Sequence, residues 1–220
     1  MKRIVIFGGK GHAHAAIDAV EQAGCYQIAG ILDDCLQSGS QVMGYPVLGQ
    51  IDQICHIMAE QAIDAGHVAI GDNWTRARVA EQVIKASPGF QFVSIIHPAA
   101  VVSRHACLGR GVMVLGGAVI GANCKVHDFC SVWTRASLDH DCSMDAYSSL
   151  APGAVTGGNV HVGAYSAVCL SAGIVHGVSV GAHTVVGAGA TVLSDLPDHV
   201  VAYGTPAHVI RKRCEGERYL

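Results

Sequence analysis

The chain has 220 residues, half of them apolar, with 14% charged, 5% aromatic and a net charge of −3. That balance offers no broad basic surface to nucleic acid, the apolar content excludes a disordered chain, and no run of about 18 apolar residues is present to cross a membrane. The opening MKRIVIFGGKGHAH holds too short an apolar stretch for a signal-peptide core, and the nine cysteines form no CxxC pair; they read as reduced thiols in a cytoplasmic protein.

In chain order, RIVIF (3–7) reads as a buried strand, followed by the glycine-rich turn GGKGHAH and a helical pattern to about Ala23. A second strand runs from about Gln27 to Leu32 and ends in Asp33 and Asp34. QSGSQVMGYPVLG has loop composition, and Gln50 to Gln61 has helical spacing. HVAIG (67–71) reads as a third strand, Asn73 to Ala86 as a helix and Phe90 to Ile95 as a fourth strand. Strands alternating with helices predict an α/β doubly wound parallel sheet, Rossmann-like, over residues 1–95.

From residue 96 the rules change. Every sixth residue from Ile96 to Val192 is aliphatic or Met, with Thr156 the one exception. Four residues after each stands a small or medium residue, among them Cys124, Cys130 and Cys142, with Leu196 at the end of the column the exception. This is the hexapeptide period of a parallel β-helix, so residues 96–220 are expected to form a triangular prism, three hexads to a coil. The aliphatic residue points inward from each wall, and the small one fits where the chain turns a corner. In that column a free thiol acts as a small hydrophobe. Glycines following the aliphatic position, such as Gly121 and Gly157, are expected where unusual backbone angles must be cheap.

Two groups of residues can carry chemistry. The turn Gly8-Gly9-Lys10-Gly11-His12 lets amides approach a phosphate at a helix N-terminus. Asp33, Asp34 and Gly71 fall at strand ends beside it, where ligands of such sheets bind. The turn departs from the dinucleotide GxGxxG because His14 replaces its last glycine, so a nucleotide-linked small molecule fits it better than NAD. The second group is Asp139-His140-Asp141. With coils about 4.8 Å apart, His140 lies one coil below Gly158 and two below His176, about 10 Å from the latter. Either aspartate could orient the imidazole as a general base, and the Gly158 amide could receive a developing oxyanion. The alternative is a surface histidine on an exposed turn. The 10 Å spacing is too wide for His140 and His176 to share a zinc ion. The other histidines of the repeat, including His127, His161 and His183, are expected to face solvent. Near the C-terminus, Arg211-Lys212-Arg213 is either a solvated tail or a cationic partner for the phosphates of an anionic cofactor.

Together GGKGHAH, GILDD, YPVLG, AIGDN, DHDC and GTPA resemble the sugar O-/N-acyltransferases of the hexapeptide-repeat class, which include sialic-acid O-acetyltransferases and nucleotide-linked 4-amino-sugar N-acetyltransferases. The resemblance covers nearly the whole chain. It implies a left-handed β-helix, a homotrimer, and acetyl-CoA in grooves between adjacent chains. It makes His140 the general base with Asp141 raising its basicity, and Gly158 the holder of the thioester oxygen. Gly11, His12, Asp33, Asp34 and Gly71, with Lys10 in the turn, match the sugar-nucleotide site. Leu170 and Ala188 match the acetyl-CoA groove, and their spacing places them in register on successive coils. Ser149 stands where some amino-sugar members carry a second histidine near the cofactor. The reading is therefore an N-acetyltransferase for a nucleotide-linked amino sugar, acting without membrane or nucleic-acid partners and without a metal. The alternatives are sugar O-acetylation, a zinc hydratase of carbonic-anhydrase type and a non-catalytic scaffold.

Overall fold

The computed structural model describes residues 1–219, and the chain divides into two units, Met1–Pro98 and Ala99 onward. In the first, β1 (Lys2–Phe7) leads to α1 (Gly11–Ala23), β2 (Tyr26–Leu32), β3 (Gln41–Val42) and β4 (Tyr45–Gly49). A single 3-10 turn at Ile51–Gln53 precedes α2 (Ile54–Gln61), β5 (Ala65–Val68) and α3 (Asn73–Ala86). The sheet order is β3-β4-β2-β1-β5, parallel throughout except for the antiparallel β3–β4 pair. β1 is central, so its run Ile4 to Phe7 is fully buried, as expected of a parallel strand covered on both faces. α1 stops at Gly24, whose φ of 62° is left-handed and whose amide caps Val20 O; glycine takes that conformation without strain.

Two sequence expectations give way here. The supposed loop contains the β3–β4 hairpin, turned by Met43 and Gly44 with φ of 49° and 85°, the positive pair of a two-residue hairpin turn. Methionine is not a usual turn residue, which hid it. The expected strand at 90–95 breaks into one bridge, Gly66 to Phe92, closed by Gly66 N donating to Gln91 O and Val93 N to Gly66 O, and a two-residue strand at Ile95–Ile96.

The second unit is a left-handed β-helix built from two-residue strands that pair in parallel with the next coil, as Ser131–Val132 does with Ser149–Leu150 and that pair with Ala167–Val168. Val114 through Val192 on the sixth-residue column are buried, Thr156 among them. Ile96, expected to open that column, is 39% exposed. The corner thiols do more than fill space: Cys124 Sγ donates to Asp139 O at 2.8 Å, Cys130 Sγ to Asp145 O at 3.0 Å and Cys142 Sγ to Gly157 O at 3.2 Å. Each buried thiol thus ties its corner to a backbone carbonyl on the next coil along the chain.

The glycines after the aliphatic position serve a different end from the one expected. Left-handed backbone falls instead on the second corner residue, as at Asn123 (59°), Asp141 (59°) and Asn159 (57°). A Cβ on Gly121 would lie 2.9 Å from the His140 nitrogen, and one on Gly157 would lie 2.7 Å from that of His176. These positions need close approach between coils rather than unusual angles. Up one edge the second corner residues are rings: Phe129 to Tyr147 at 5.0 Å, Tyr147 to Tyr165 at 5.2 Å, Tyr165 to His183 at 4.6 Å and His183 to His199 at 4.9 Å. His183, expected in solvent, is buried within this column. An antiparallel hairpin, Val200–Gly204 with Ala207–Lys212, follows the last coil.

Candidate active site

His140 stands at a corner of the prism with its side chain 52% exposed. Its Nδ1 lies 2.7 Å from Asp141 Oδ2. A carboxylate only accepts, so Nδ1 carries the proton and the Nε2 lone pair is left for an incoming one. The hydrogen bond that His140 donates to Asp141, helped by the charges of Asp139 and Asp141, raises the imidazole above its ordinary value, and the same bond lowers the Asp141 carboxyl. Asp139 binds the corner differently: its Oδ1 accepts from the His140 amide at 2.8 Å. A residue that sequence reasoning passed over, Asn123, donates from Nδ2 to Asp141 Oδ1 at 3.2 Å. It sits one coil below Asp141 at the same left-handed corner position, so the stacking rule alone could have found it.

Gly158 is buried because the imidazole lies across it. A Cβ there would come within 2.5 Å of His140 Cε1 and Nε2, and among the described residues its amide donates to no protein group. The bare surface lets the ring lean upward, so the His140 and His176 centroids are 6.2 Å apart. The expected 10 Å describes the backbones, not the rings. His176 Nε2 lies 3.4 Å from Asn159 Nδ2. Among the described residues, no group of three or more His, Cys, Asp or Glu is arranged to hold a metal ion.

Within one chain the coenzyme-facing candidates are not beside this corner. Leu170 and Ala188 occupy successive coils on a different edge, both exposed, tied by Gly189 N donating to Leu170 O at 2.8 Å. Ser149 lies on a wall, 6% exposed, paired between Ser131 and Ala167.

In the first unit the turn and the strand ends do converge. The His12 ring covers Gly71, where a Cβ would collide with its atoms. Burial, then the positive charge of Arg76, pushes His12 down to about 4, so it is neutral near pH 7. Arg76 is 1% exposed and donates to Ile70 O at 2.9 Å, Gly71 O at 3.1 Å and Asn73 Oδ1 at 2.7 Å. Sequence reading missed it, although it shares the buried face of α3 with Ala80 and Val83. Asp33 is committed to the turn: Oδ2 accepts from Gly9 N at 2.8 Å, and Oδ1 from Cys35 N at 2.8 Å and Leu36 N at 3.1 Å. Asp34 is exposed and accepts from Ile51 N at 2.9 Å. Lys10 and Gly11 are exposed at the start of α1. The basic C-terminal cluster divides: Arg213 is 5% exposed and donates to His183 O, while Arg211 and Lys212 are exposed and Arg211 pairs with Glu217 at 2.6 Å.

Residues 3–83 match the PglD N-terminal domain. GDP-perosamine N-acetyltransferase of Escherichia coli O157:H7 is 30% identical over 122 residues, 56% of this chain and 52% of that protein; the match thus spans about half the length of the curated relative. Along nearly the whole chain the fold is similar to a histidine-to-alanine mutant of GDP-perosamine N-acetyl transferase from Caulobacter crescentus, solved with CoA and GDP-perosamine (TM-score 0.89, 37% identity, 96% of this chain and 98% of that one). The acetyltransferase domain of PglB from Neisseria gonorrhoeae, solved with acetyl coenzyme A, is also similar (TM-score 0.87, 31% identity, 95% and 99% coverage). A glycine-rich α/β unit joined to a β-helix with a histidine–aspartate pair on its corner, together with these likenesses, shows that the chain belongs to the hexapeptide-repeat sugar acyltransferase family with a PglD-type N-terminal domain.

Proposed function

We propose that the protein transfers the acetyl group of acetyl-CoA to the amino group of a nucleotide-linked 4-amino sugar. The observation that carries this reading is the exposed His140, its Nδ1 held 2.7 Å from Asp141 and its Nε2 edge over the bare Gly158. The amine nitrogen attacks the thioester carbon and its proton passes to His140 Nε2. The carbonyl oxygen becomes an oxyanion and accepts from the Gly158 amide. Collapse of the tetrahedral intermediate breaks the carbon–sulfur bond, and the departing thiolate takes the proton back from the imidazolium. Asp141 stays ionised throughout and holds the ring's tautomer.

The α/β unit (residues 1–95) is the nucleotide-sugar domain in this reading, with His12 over Gly71 and the Gly9 turn organised by Asp33 as its recognition surface. Lys10, Gly11 and Asp34 line the same turn. The β-helix (96–220) is the acetyltransferase domain. Because His140 is on one edge while Leu170 and Ala188 are on another, a complete site takes the base from one chain and the coenzyme-facing edge, with Ser149, from its neighbour in a cytoplasmic homotrimer. The amine acceptor is supported by the relatives from Escherichia coli and Caulobacter crescentus, both named as GDP-perosamine N-acetyltransferases.

The test is thiol release from acetyl-CoA in the presence of GDP- and UDP-linked 4-amino sugars, beside hydroxyl-bearing counterparts. Turnover with the amine alone is expected, and loss of the base in His140→Ala should lower kcat by roughly 10²–10⁴-fold. Acetylation of a hydroxyl in preference to the amine, or full turnover by the alanine variant, overturns the reading.

A further inference from the structure

The one polar residue in the inward aliphatic column lies one coil above the corner that carries the base. Thr156 is 7% exposed. Elsewhere along the prism the residue after each aliphatic position donates its amide to the backbone carbonyl one coil on. On the same edge, Gly121 N donates to Leu138 O at 2.8 Å and Gly157 N to Ile174 O at 2.8 Å. At Asp139, immediately before His140, that bond is missing from a series otherwise continuous from Ser103 to Gly187. The Asp139 amide donates instead to the Thr156 hydroxyl at 3.2 Å. Pairing reflects the change: Ser137 faces Val155, but Leu138 and Thr156 drop out of register, whereas the flanking rungs pair at both residues.

A second bond secures the other side of the corner. Thr156 Oγ1 lies 3.6 Å from Cys142 Sγ, and that thiol in turn reaches His140 O at 3.6 Å and Gly157 O at 3.2 Å. The amide before the base is thus held by the Thr156 hydroxyl, while the carbonyl of the base accepts from Asn159 N at 2.9 Å. A hydroxyl buried among aliphatic side chains is costly unless bonded, and valine has nearly the same shape. The interruption therefore has a local use.

We infer that Thr156 is a positioning residue: its hydroxyl lifts the Asp139 amide out of the rung ladder and so fixes the backbone of the Asp139–His140–Asp141 corner. The inference rests on the proposed acetyl transfer for its effect on rate, but not for its effect on the imidazole. In Thr156→Val the Asp139 amide loses its partner and falls back toward the backbone carbonyl. The His140 ring, faced by Asp139, Asp141 and His176, then shifts from its place over Gly158.

The experiment compares Thr156→Val with Thr156→Ser in the full-length protein. The valine variant should melt no lower than wild type, since it completes the aliphatic column, while kcat falls about 10- to 100-fold and KM for either substrate stays unchanged. Its His140 titration, followed by NMR without substrate, should move toward that of a free imidazole, and serine should restore both readouts. Wild-type kcat with an unmoved titration in the valine variant overturns the inference, as do equal losses in both variants accompanied by a lower melting temperature. Should His140→Ala, assayed alongside, keep full turnover, the base assignment fails and the NMR readout alone decides the role of Thr156.

Discussion

Replacing Gly158 with alanine isolates the placement of the base. The glycine has no left-handed φ, so the backbone accepts a side chain and the prism should remain folded. The new methyl carbon would lie 2.5 Å from His140 Cε1 and Nε2 and 3.0 Å from Nδ1. Since carbon atoms settle at about 3.5 Å or more, the imidazole must retreat by about 1 Å. Its hydrogen bond to Asp141, now 2.7 Å, would stretch beyond the range in which such bonds count. A displacement of that size at a reacting group costs about 10²-fold in rate. Steady-state release of the coenzyme thiol, with circular dichroism to follow melting, measures the effect. An alanine variant that melts like wild type and keeps its kcat would refute the placement of the base over Gly158.

Gly71→Ala should drive its methyl into the His12 ring and raise KM for the nucleotide sugar about 10-fold or more while leaving KM for acetyl-CoA alone, since losing about 1.4 kcal/mol of binding is a factor of ten; equal changes in both would separate His12 from sugar recognition. Since Asp141 raises His140 and only the neutral imidazole accepts a proton, kcat/KM should rise with pH through a midpoint above the ordinary value of about 6.5. Asp141→Asn should move that limb to lower pH and lower the plateau; an unmoved limb in the rate profile removes Asp141 from the pair. His67, fully buried with Nδ1 bonded to Val93 O at 2.9 Å, is pushed down to about 4 by burial. Its folded value lies below its unfolded one, so this stability is whole above about pH 6.5 and drains away as pH falls toward 4, by about 3 kcal/mol in all. Urea unfolding across that range should show a shallower slope in His67→Gln than in wild type, the remainder coming from groups such as His12 that burial also depresses; equal slopes would remove His67 from the account.

The repeat was legible because period six is a global constraint: it located the walls, the edges, the buried thiols and the corner carrying His140. It counted backbones, however, and a glycine on the neighbouring coil lets a ring lean, which is why the 6.2 Å approach of His176 escaped a rule based on coil spacing. Thr156 was visible as an exception but not as a contributor, since its meaning depends on which amide faces it across a coil. In the α/β unit β1, β2 and α3 followed from apolar runs and helical spacing, and the structure adds a cap to α3 in Asp72, whose side chain accepts from Thr75 N. The hairpin at Met43 did not, because tertiary pairing imposed a positive φ on a residue with no preference for it. Arg76 was concealed by its charge; three hydrogen bonds to neighbouring oxygens keep a cation inside, and charge alone suggests the opposite.

The rings that climb from Phe129 to His199 touch face to face, each from its own turn of the prism. A deletion of one hexad would rotate every later residue to the next edge, leaving each aromatic face against a stranger and carrying Leu170 and Ala188 away from their own edge. Such a chain can lengthen or shorten only by whole turns, so among its descendants the size of this unit should change in steps, never by degrees.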